Sequence, residues 1–259
     1  MNNDVRQFLT ILNNNGFEAY IVGGFVRDYL LNINSDDYDI CTNAREYELK
    51  KFFDLLDSNY GSYKVKYNNK IYEVTSFRKD INYINNRKPE KIEYVNTLYE
   101  DLQRRDFTIN TICMDKDSNI IDLLNGREDI NNKIVRVVGN TELKIKEDAL
   151  RILRAIRLAT VLDFNLDLEL YNTIKKYGYL VKNLSYYRKR CELDKIFTSL
   201  NIDYGVNLLK ELELDKYLEI NLDFKKTDLL GIWAQIDNIN YPFTKQELQI
   251  INKYKNTYL

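Results

Sequence analysis

The apolar positions of this chain change period twice. Residues 4–15 place Val5, Phe8, Leu9, Ile11 and Leu12 on one side of a helix. AYIVGG (Ala19–Gly24) is an apolar run closed by a glycine pair, which predicts a buried strand and a turn. VRDYLLN (Val26–Asn32) opens a short helix, and DDYDICT (Asp36–Thr42) alternates as a second strand. Residues 45–57 read as a helix packing through Phe52, Phe53, Leu55 and Leu56. YKVKY (Tyr63–Tyr67) and KIYEVTSFR (Lys70–Arg78) predict two strands joined at Asn68-Asn69. Residues 79–91 have no usable period and carry Pro89, which predicts a mobile loop. RRDFTINTICMD (Arg104–Asp115) predicts a helix start running into a strand. NIIDLLNGREDINN (Asn119–Asn132) predicts a strand and turn, and IVRVVG (Ile134–Gly139) another short strand. Beyond about Thr141 the period is helical to the end, broken near Asn183, Asn201 and Asp237. Mixed elements followed by helices predict an α+β chain.

Composition narrows the chemistry. The 259 residues include no histidine. That removes Ser-His and Cys-His nucleophile systems and HExxH zinc sites, and leaves carboxylates, Lys, Arg, Tyr or an oxygen-bound metal. Magnesium suits that ligand set, because hard cations take carboxylate oxygen. Cys41, Cys113 and Cys191 are far apart and odd in number, so they are expected as buried free thiols of a reducing cytoplasm. The polar N-terminal lead into an amphipathic helix is unlike a signal peptide, and no apolar run reaches the roughly 18 residues of a membrane span. A net charge of −1 means that any nucleic-acid contact must rest on local positive clusters.

Four stretches carry candidate chemistry. Asp37 and Asp39 stand at i and i+2, so on a strand their carboxylates share one face. Such a pair repels unless a cation lies between. The other reading is a solvated loop. A preceding Gly-Gly turn favours the metal, since backbone N–H groups at Gly23 and Gly24 can approach phosphate, and Arg27 lies one helical turn on. Glu73 in YEVTSFR is either a third acid from a neighbouring strand or a water-facing glutamate. In RRDFTIN, Arg105 either meets a triphosphate or is a surface charge. Asp106 either meets a ribose hydroxyl or orients an arginine. EDALRILRAIR (Glu147–Arg157) puts Asp148, Arg151, Arg154 and Arg157 at three-residue spacing beside an apolar ridge, a stripe on one helix. It is either a base reader or a salt-bridged helix. In the first case Asp148 accepts from a base amino group and Arg151 donates to a ring nitrogen or carbonyl.

In this order the blocks resemble the class II tRNA nucleotidyltransferase (CCA-adding enzyme) and bacterial poly(A) polymerase superfamily: GGFVRD with DYDICT, YEVTSFR, RRDFTIN, DLLNGREDINNKIVRVVGN and EDALRILRAIRLA. RKRCELDKI (Arg188–Ile196) is similar to a later helical block. The resemblance implies a nucleotidyltransferase head with a small mixed or antiparallel sheet over residues 1–140, a helical neck over 141–200 and a shortened helical body over 201–259. It implies two magnesium ions on Asp37 and Asp39, with Glu73 as a further catalytic acid. Gly23, Gly24, Arg27, Arg105 and Asp106 would meet the nucleotide, while Asp148 and Arg151, supported by Arg154 and Arg157, would pair with CTP or ATP. The implied reaction adds C, C and A to the 3′ end of tRNA in the cytoplasm, by a monomer or a homodimer. Residues 79–91, with Arg87 in an RxP context, favour full CCA addition over partial addition. Poly(A) synthesis is the alternative, and an inactive tRNA-binding remnant a third reading. Asp36 stands where the family usually has lysine, and Tyr187 where it has an acid. The family is usually longer, so the body and tail are expected to be reduced. Lys225, Lys226, Lys245, Lys253 and Lys255 are candidates for RNA backbone contacts.

Overall fold

A computed structural model of the chain describes residues 1–84, 88–236 and 240–258. The chain divides into two compact units. The first holds residues 1–84, 89–132 and 136–139, and the second holds residues 133–135 and 140 onward.

The first unit is built on α1 (Asn3–Asn14) and β1 (Ala19–Val22), then α2 (Gly24–Leu30), β2 (Asp39–Thr42) and α3 (Glu46–Leu49). The strands β3 (Asp54–Asn59), β4 (Ser62–Tyr67), β5 (Lys70–Ser76), β6 (Arg78–Ile84) and β7 (Lys88–Tyr94) follow. The unit continues with α4 (Leu98–Gln103), a 3-10 turn (Thr108–Asn110), β8 (Cys113–Met114), β9 (Ile120–Ile121) and α5 (Gly126–Asn131). Seven strands form one mixed sheet in the order β3-β4-β5-β2-β1-β8-β9, and β6 pairs with β7 separately. β1 runs antiparallel to β2, with Val22 opposite Asp39. β2 runs parallel to β5, with Asp39 opposite Glu73.

Both faces of this sheet are covered. On one, Phe8 of α1 stacks on Phe53 at 4.0 Å between ring centres. On the other, Val22, Cys41 and Cys113 pack with Leu98 and Leu102 of α4. Each such apolar side chain contributes about 1.5–3 kcal/mol on burial. The β4–β5 turn forms as the sequence predicts. Asn68 and Asn69 are both left-handed at φ 48° and 60°, the pairing a tight hairpin needs.

Two expectations in this unit are corrected. Residues 45–57 are not one helix: α3 ends at Leu49 and Asp54 begins β3. Leu56 there is exposed, because the edge strand is held by its ladder with β4 and not by apolar packing. Of the segment expected as a loop, residues 79–84 lie in β6 and residues 88–91 in β7. Arg87, on which the RxP reading turns, lies outside the described residues. The segment expected as a turn after β9 is α5, whose N-terminal Gly126 and Arg127 N–H groups are accepted by Asp122 at 2.9 Å each.

The second unit begins with β10 (Ile134–Val135) and α6 (Thr141–Glu147), and its central helix is α7 (Leu150–Leu162). β11 (Asn165–Leu166) pairs parallel with β10, a small ladder that the helical pattern did not indicate. α8 (Leu168–Tyr177), a 3-10 segment (Gly178–Asn183), α9 (Tyr186–Phe197), α10 (Ile202–Glu211), α11 (Asp215–Leu218), α12 (Leu229–Gln235) and α13 (Lys245–Tyr258) complete it. α7 is buried along most of its length, through Ile152, Leu153, Ile156 and Leu158. The breaks expected near Asn183 and Asn201 coincide with helix ends; that near Asp237 lies outside the described residues. Cys41 and Cys113 are buried free thiols, whereas Cys191 is only half-buried. Among the described residues no helix is long and apolar enough to cross a membrane.

Candidate active site

In the first unit the site starts where β1 ends. Gly23 adopts φ 86° and ψ −135°, a backbone that side-chain-bearing residues rarely enter. A Cβ placed there would lie 3.6 Å from Asp39 Oδ2 and 3.9 Å from the Asn110 carbonyl oxygen. One glycine therefore marks the approach of the carboxylate on β2 and the 3-10 turn of RRDFTIN.

The strand assigned to DDYDICT begins only at Asp39, so Asp37 lies in the extended segment before it. Its alternation nevertheless reaches back to Asp37. Asp37 is exposed, Tyr38 is 8% exposed, Asp39 is half-buried and Ile40 is buried. Tyr38 fixes this phase by packing on Phe25 of α2 and accepting the Asn2 N–H at 3.1 Å. Glu73 is the register partner of Asp39 across β2 and β5, so it falls on the same sheet face. It is exposed, with Lys64 opposite it on β4. Among the described residues no three Asp, Glu, Cys or His side chains gather as a metal-binding group. Glu73 is thus aligned with Asp39 without joining it in a three-acid cluster.

Arg27 is fastened on two sides. Its Nε and Nη2 donate to Asp28 Oδ1 at 2.9 and 2.6 Å, and its Nη1 donates to Asn110 Oδ1 at 2.8 Å. Asn110 is held in turn, its Nδ2 donating to Asp106 Oδ1 at 3.2 Å, which also accepts the Phe107 N–H at 2.8 Å. Asp106 is thus linked to Arg27 through Asn110.

Arg105 has a different environment from the one expected. Its Nη2 donates at 3.0 Å to Asp101 Oδ2, and Asp101 is fully buried. Burial pushes the Asp101 carboxyl up, but Arg105 and Arg104 outweigh it and hold the group below the usual carboxylate range. Burial works against the Arg105 charge, and Asp101 more than offsets it, leaving its pKa raised. Asp101 also accepts the Arg78 N–H at 3.2 Å, where β5 gives way to β6. Arg105 serves this buried ion pair, and removing one partner of such a pair costs about 3–5 kcal/mol.

In the second unit the Asp148–Arg157 stripe is not one helix. Asp148 is extended, at φ −141° and ψ 103°, and separates α6 from α7. Its Oδ1 accepts the Leu150 N–H at 3.1 Å, a local bond that competes with helix continuation. Both its oxygens accept from Arg188 Nη2, at 3.2 and 3.3 Å. Burial raises the Asp148 pKa despite Arg188 and Arg151 beside it. Arg151, 6% exposed, donates from Nη1 to the Lys144 carbonyl at 2.6 Å and to Glu147 at 3.1 Å. Arg157 Nε donates to Glu192 at 2.6 Å. Arg154 is half-buried on the same helix.

Sequence reasoning missed Asn110, Asp28, Glu192 and the role of Arg188. All four lie inside the family blocks, and nothing in their spacing gave their partners. The departure at Tyr187 leaves the Arg188 contact intact, with Tyr187 itself exposed. Asp36 is exposed and adds to the negative field around Lys70. Lys226 pairs with Asp203.

A family model described as the poly A polymerase head domain matches residues 19–136, and one described as a probable RNA and SrmB-binding site of polymerase A matches residues 163–222. The chain is 39% identical to the CCA-adding enzyme of Staphylococcus aureus (strain MRSA252), over 96% of this chain and 67% of that protein. A crystal structure of the Bacillus stearothermophilus CCA-adding enzyme in complex with CTP is similar at TM-score 0.77 and 35% identity, over 84% of this chain and 54% of the other. A tRNA nucleotidyltransferase complexed with a primer tRNA and an incoming ATP analogue is similar at TM-score 0.68 and 26% identity, over 87% and 66%. The chain thus spans between about half and two thirds of the length of these relatives.

Proposed function

Because this chain belongs to the CCA-adding enzyme family, we propose that it adds C, C and A to the 3′ end of tRNA from CTP and ATP. The tRNA 3′ hydroxyl forms a bond to the α-phosphorus of the nucleotide while the bond to pyrophosphate breaks, and the hydroxyl proton is lost. Residues 1–140 are the catalytic head of this reading, residues 141–200 the neck that selects the base, and residues 201–259 a shortened body for tRNA.

The observation that carries the reading is the meeting of Asp39 and Asn110 at Gly23, with Arg27 beside Gly24 and bonded to Asn110. A carboxylate and a fastened guanidinium then face a backbone without a side chain, which is what a triphosphate needs on approach. Arg27 grips the triphosphate, Gly23 and Gly24 let it reach the backbone, and Asp106 holds Asn110 in place. Arg105 acts only through its buried pair with Asp101.

The donor set fits magnesium: hard carboxylate oxygens without histidine, at a site with two protein acids. Such an ion is usually held by one or two carboxylates and completed by water and substrate phosphates. Asp37 and Asp39 would hold two ions, with Glu73 adding negative charge from the next strand. When bound, magnesium supplies acidity to the attacking hydroxyl and neutralises charge on the departing pyrophosphate.

Base choice falls to Asp148 and the start of α7. Cytosine and adenine each offer an amino donor where thymine and uracil offer a carbonyl. Asp148 accepts that donor, Arg151 donates to the neighbouring ring nitrogen or carbonyl, and Arg154 and Arg157 keep the helix in place.

The test is incubation of the purified protein with magnesium, CTP, ATP and a tRNA lacking its CCA end. Growth by three residues, in the order C, C, A, supports the proposal. Growth by open-ended A would replace it with poly(A) synthesis. A stop after two residues would replace it with partial addition, and no growth with an RNA-binding remnant.

A further inference from the structure

The block from Asn125 to Arg136 has no part in this chemistry, yet it is built around a buried carboxylate. Asp129 is 5% exposed, and its Oδ2 accepts from the Thr108 hydroxyl at 2.6 Å. Arg136 Nε donates to both Asp129 oxygens, at 3.1 and 3.2 Å. The carbonyl of the same Arg136 accepts the Thr108 N–H at 3.0 Å. Thr108 is held through its backbone and its side chain at once. Gly126 lets this happen, since a Cβ there would lie 2.3 Å from the Thr108 carbonyl oxygen.

Thr108 begins the three-residue turn that Asn110 ends. Thr108 and Asn110 are thus two residues apart in one tight turn, and Asn110 is the residue that binds Arg27 Nη1. Of the five N–H donors on a guanidinium, Asp28 and Asn110 take three, leaving one on each terminal nitrogen.

We propose that Asp129, acting through Thr108 and Asn110, is a positioning residue that sets the plane of the Arg27 guanidinium. The proposal rests on the reading of Arg27 as a triphosphate ligand. With the clasp intact, the two remaining donors are aimed before the nucleotide arrives. With the clasp broken, the guanidinium swings about its Asp28 contact, and every nucleotide binds less well whatever its base.

The experiment compares the full chain with Asp129→Asn and Thr108→Val, using Thr108→Ser as the control that keeps the hydroxyl. Two readouts are taken. One is the solvent exchange rate of the Arg27 Nη1–H that faces Asn110, by nitrogen-15 NMR without nucleotide. The other is steady-state extension of tRNA. Exchange is expected to quicken about tenfold in Thr108→Val and to return in Thr108→Ser. KM for CTP and for ATP should both rise about tenfold with kcat nearly unchanged and KM for tRNA unmoved. In an Arg27→Ala background Thr108→Val should add little, because both changes remove one interaction. An unmoved Arg27 signal overturns the proposal, as does a KM loss that adds in full to Arg27→Ala. If Asp129→Asn does not fold, Thr108→Val carries the test alone. If the wild type proves unable to use CTP while the Arg27 signal still loosens, the functional reading fails and the positioning role stands.

Discussion

The two units prepare their charged side chains differently. In the first, Arg27 is pinned at one edge and one terminal nitrogen, with donors left over, and Asp39 faces a glycine. In the second, Asp148 is already bonded to Arg188, Arg151 to Glu147 and Arg157 to Glu192. On the proposed reading, the contrast teaches that the phosphate chemistry is laid out in advance, whereas base reading must share groups that also stabilise the helices. A buried charge is tolerated only with a partner, so the stripe on α7 cannot stand idle before a nucleotide binds.

The largest effect should come from Asp39. Asp39→Asn keeps the shape at Gly23 and removes the charge, so nucleotide transfer should fall at least about a thousandfold, the scale at which single electrostatic groups act in active sites. The melting temperature should move little. Retained transfer would remove the metal role from this unit and end the contrast.

A smaller effect concerns acid. Burial raises the Asp148 pKa, so this carboxylate takes up its proton at a higher pH than an ordinary aspartate. The protonated form is a poorer acceptor for a base amino group. The preference for CTP over UTP should therefore decline on acidification, by several-fold, starting above the usual aspartate range. Asp148→Asn should flatten the profile. A preference independent of pH in the wild type would remove Asp148 from base reading.

Much of the first unit was legible in its sequence, because β1 is an apolar run, β2, β4 and β5 alternate, and their turns carry glycine or paired asparagines. The misread segments have a common cause. At 45–57 the adjacent pairs Phe52-Phe53 and Leu55-Leu56 imitate helical spacing, yet β3 is fixed by backbone pairing at a sheet edge. At 79–91 the two-stranded pairing of β6 with β7 requires no apolar alternation to form. Asp148 has helical spacing to Arg151 but leaves the helix, and its carboxylate accepts the Leu150 N–H instead. The site shows the same division. Residue types and spacing indicated Asp37, Asp39, Arg27 and Asp148, while the partner of Arg27 lies 83 residues away at Asn110 and that of Asp148 lies 40 residues away at Arg188. Arg105 is the instructive exception. Its partner Asp101 is four residues earlier, a spacing visible in the chain, but only burial shows that the pair supports the sheet.

The account holds that the first unit handles any triphosphate and that Asp148, with α7 after it, chooses among bases. The most direct measurement is kcat/KM for all four nucleotides, on tRNA ending in one C, for the wild type and for Asp148→Ala. The account predicts that the wild-type preference for CTP over UTP narrows by about tenfold or more in the variant, as expected for loss of one charged hydrogen bond, while the magnesium dependence stays the same. An unchanged preference, or a uniform loss across all four nucleotides with an altered magnesium dependence, would contradict it.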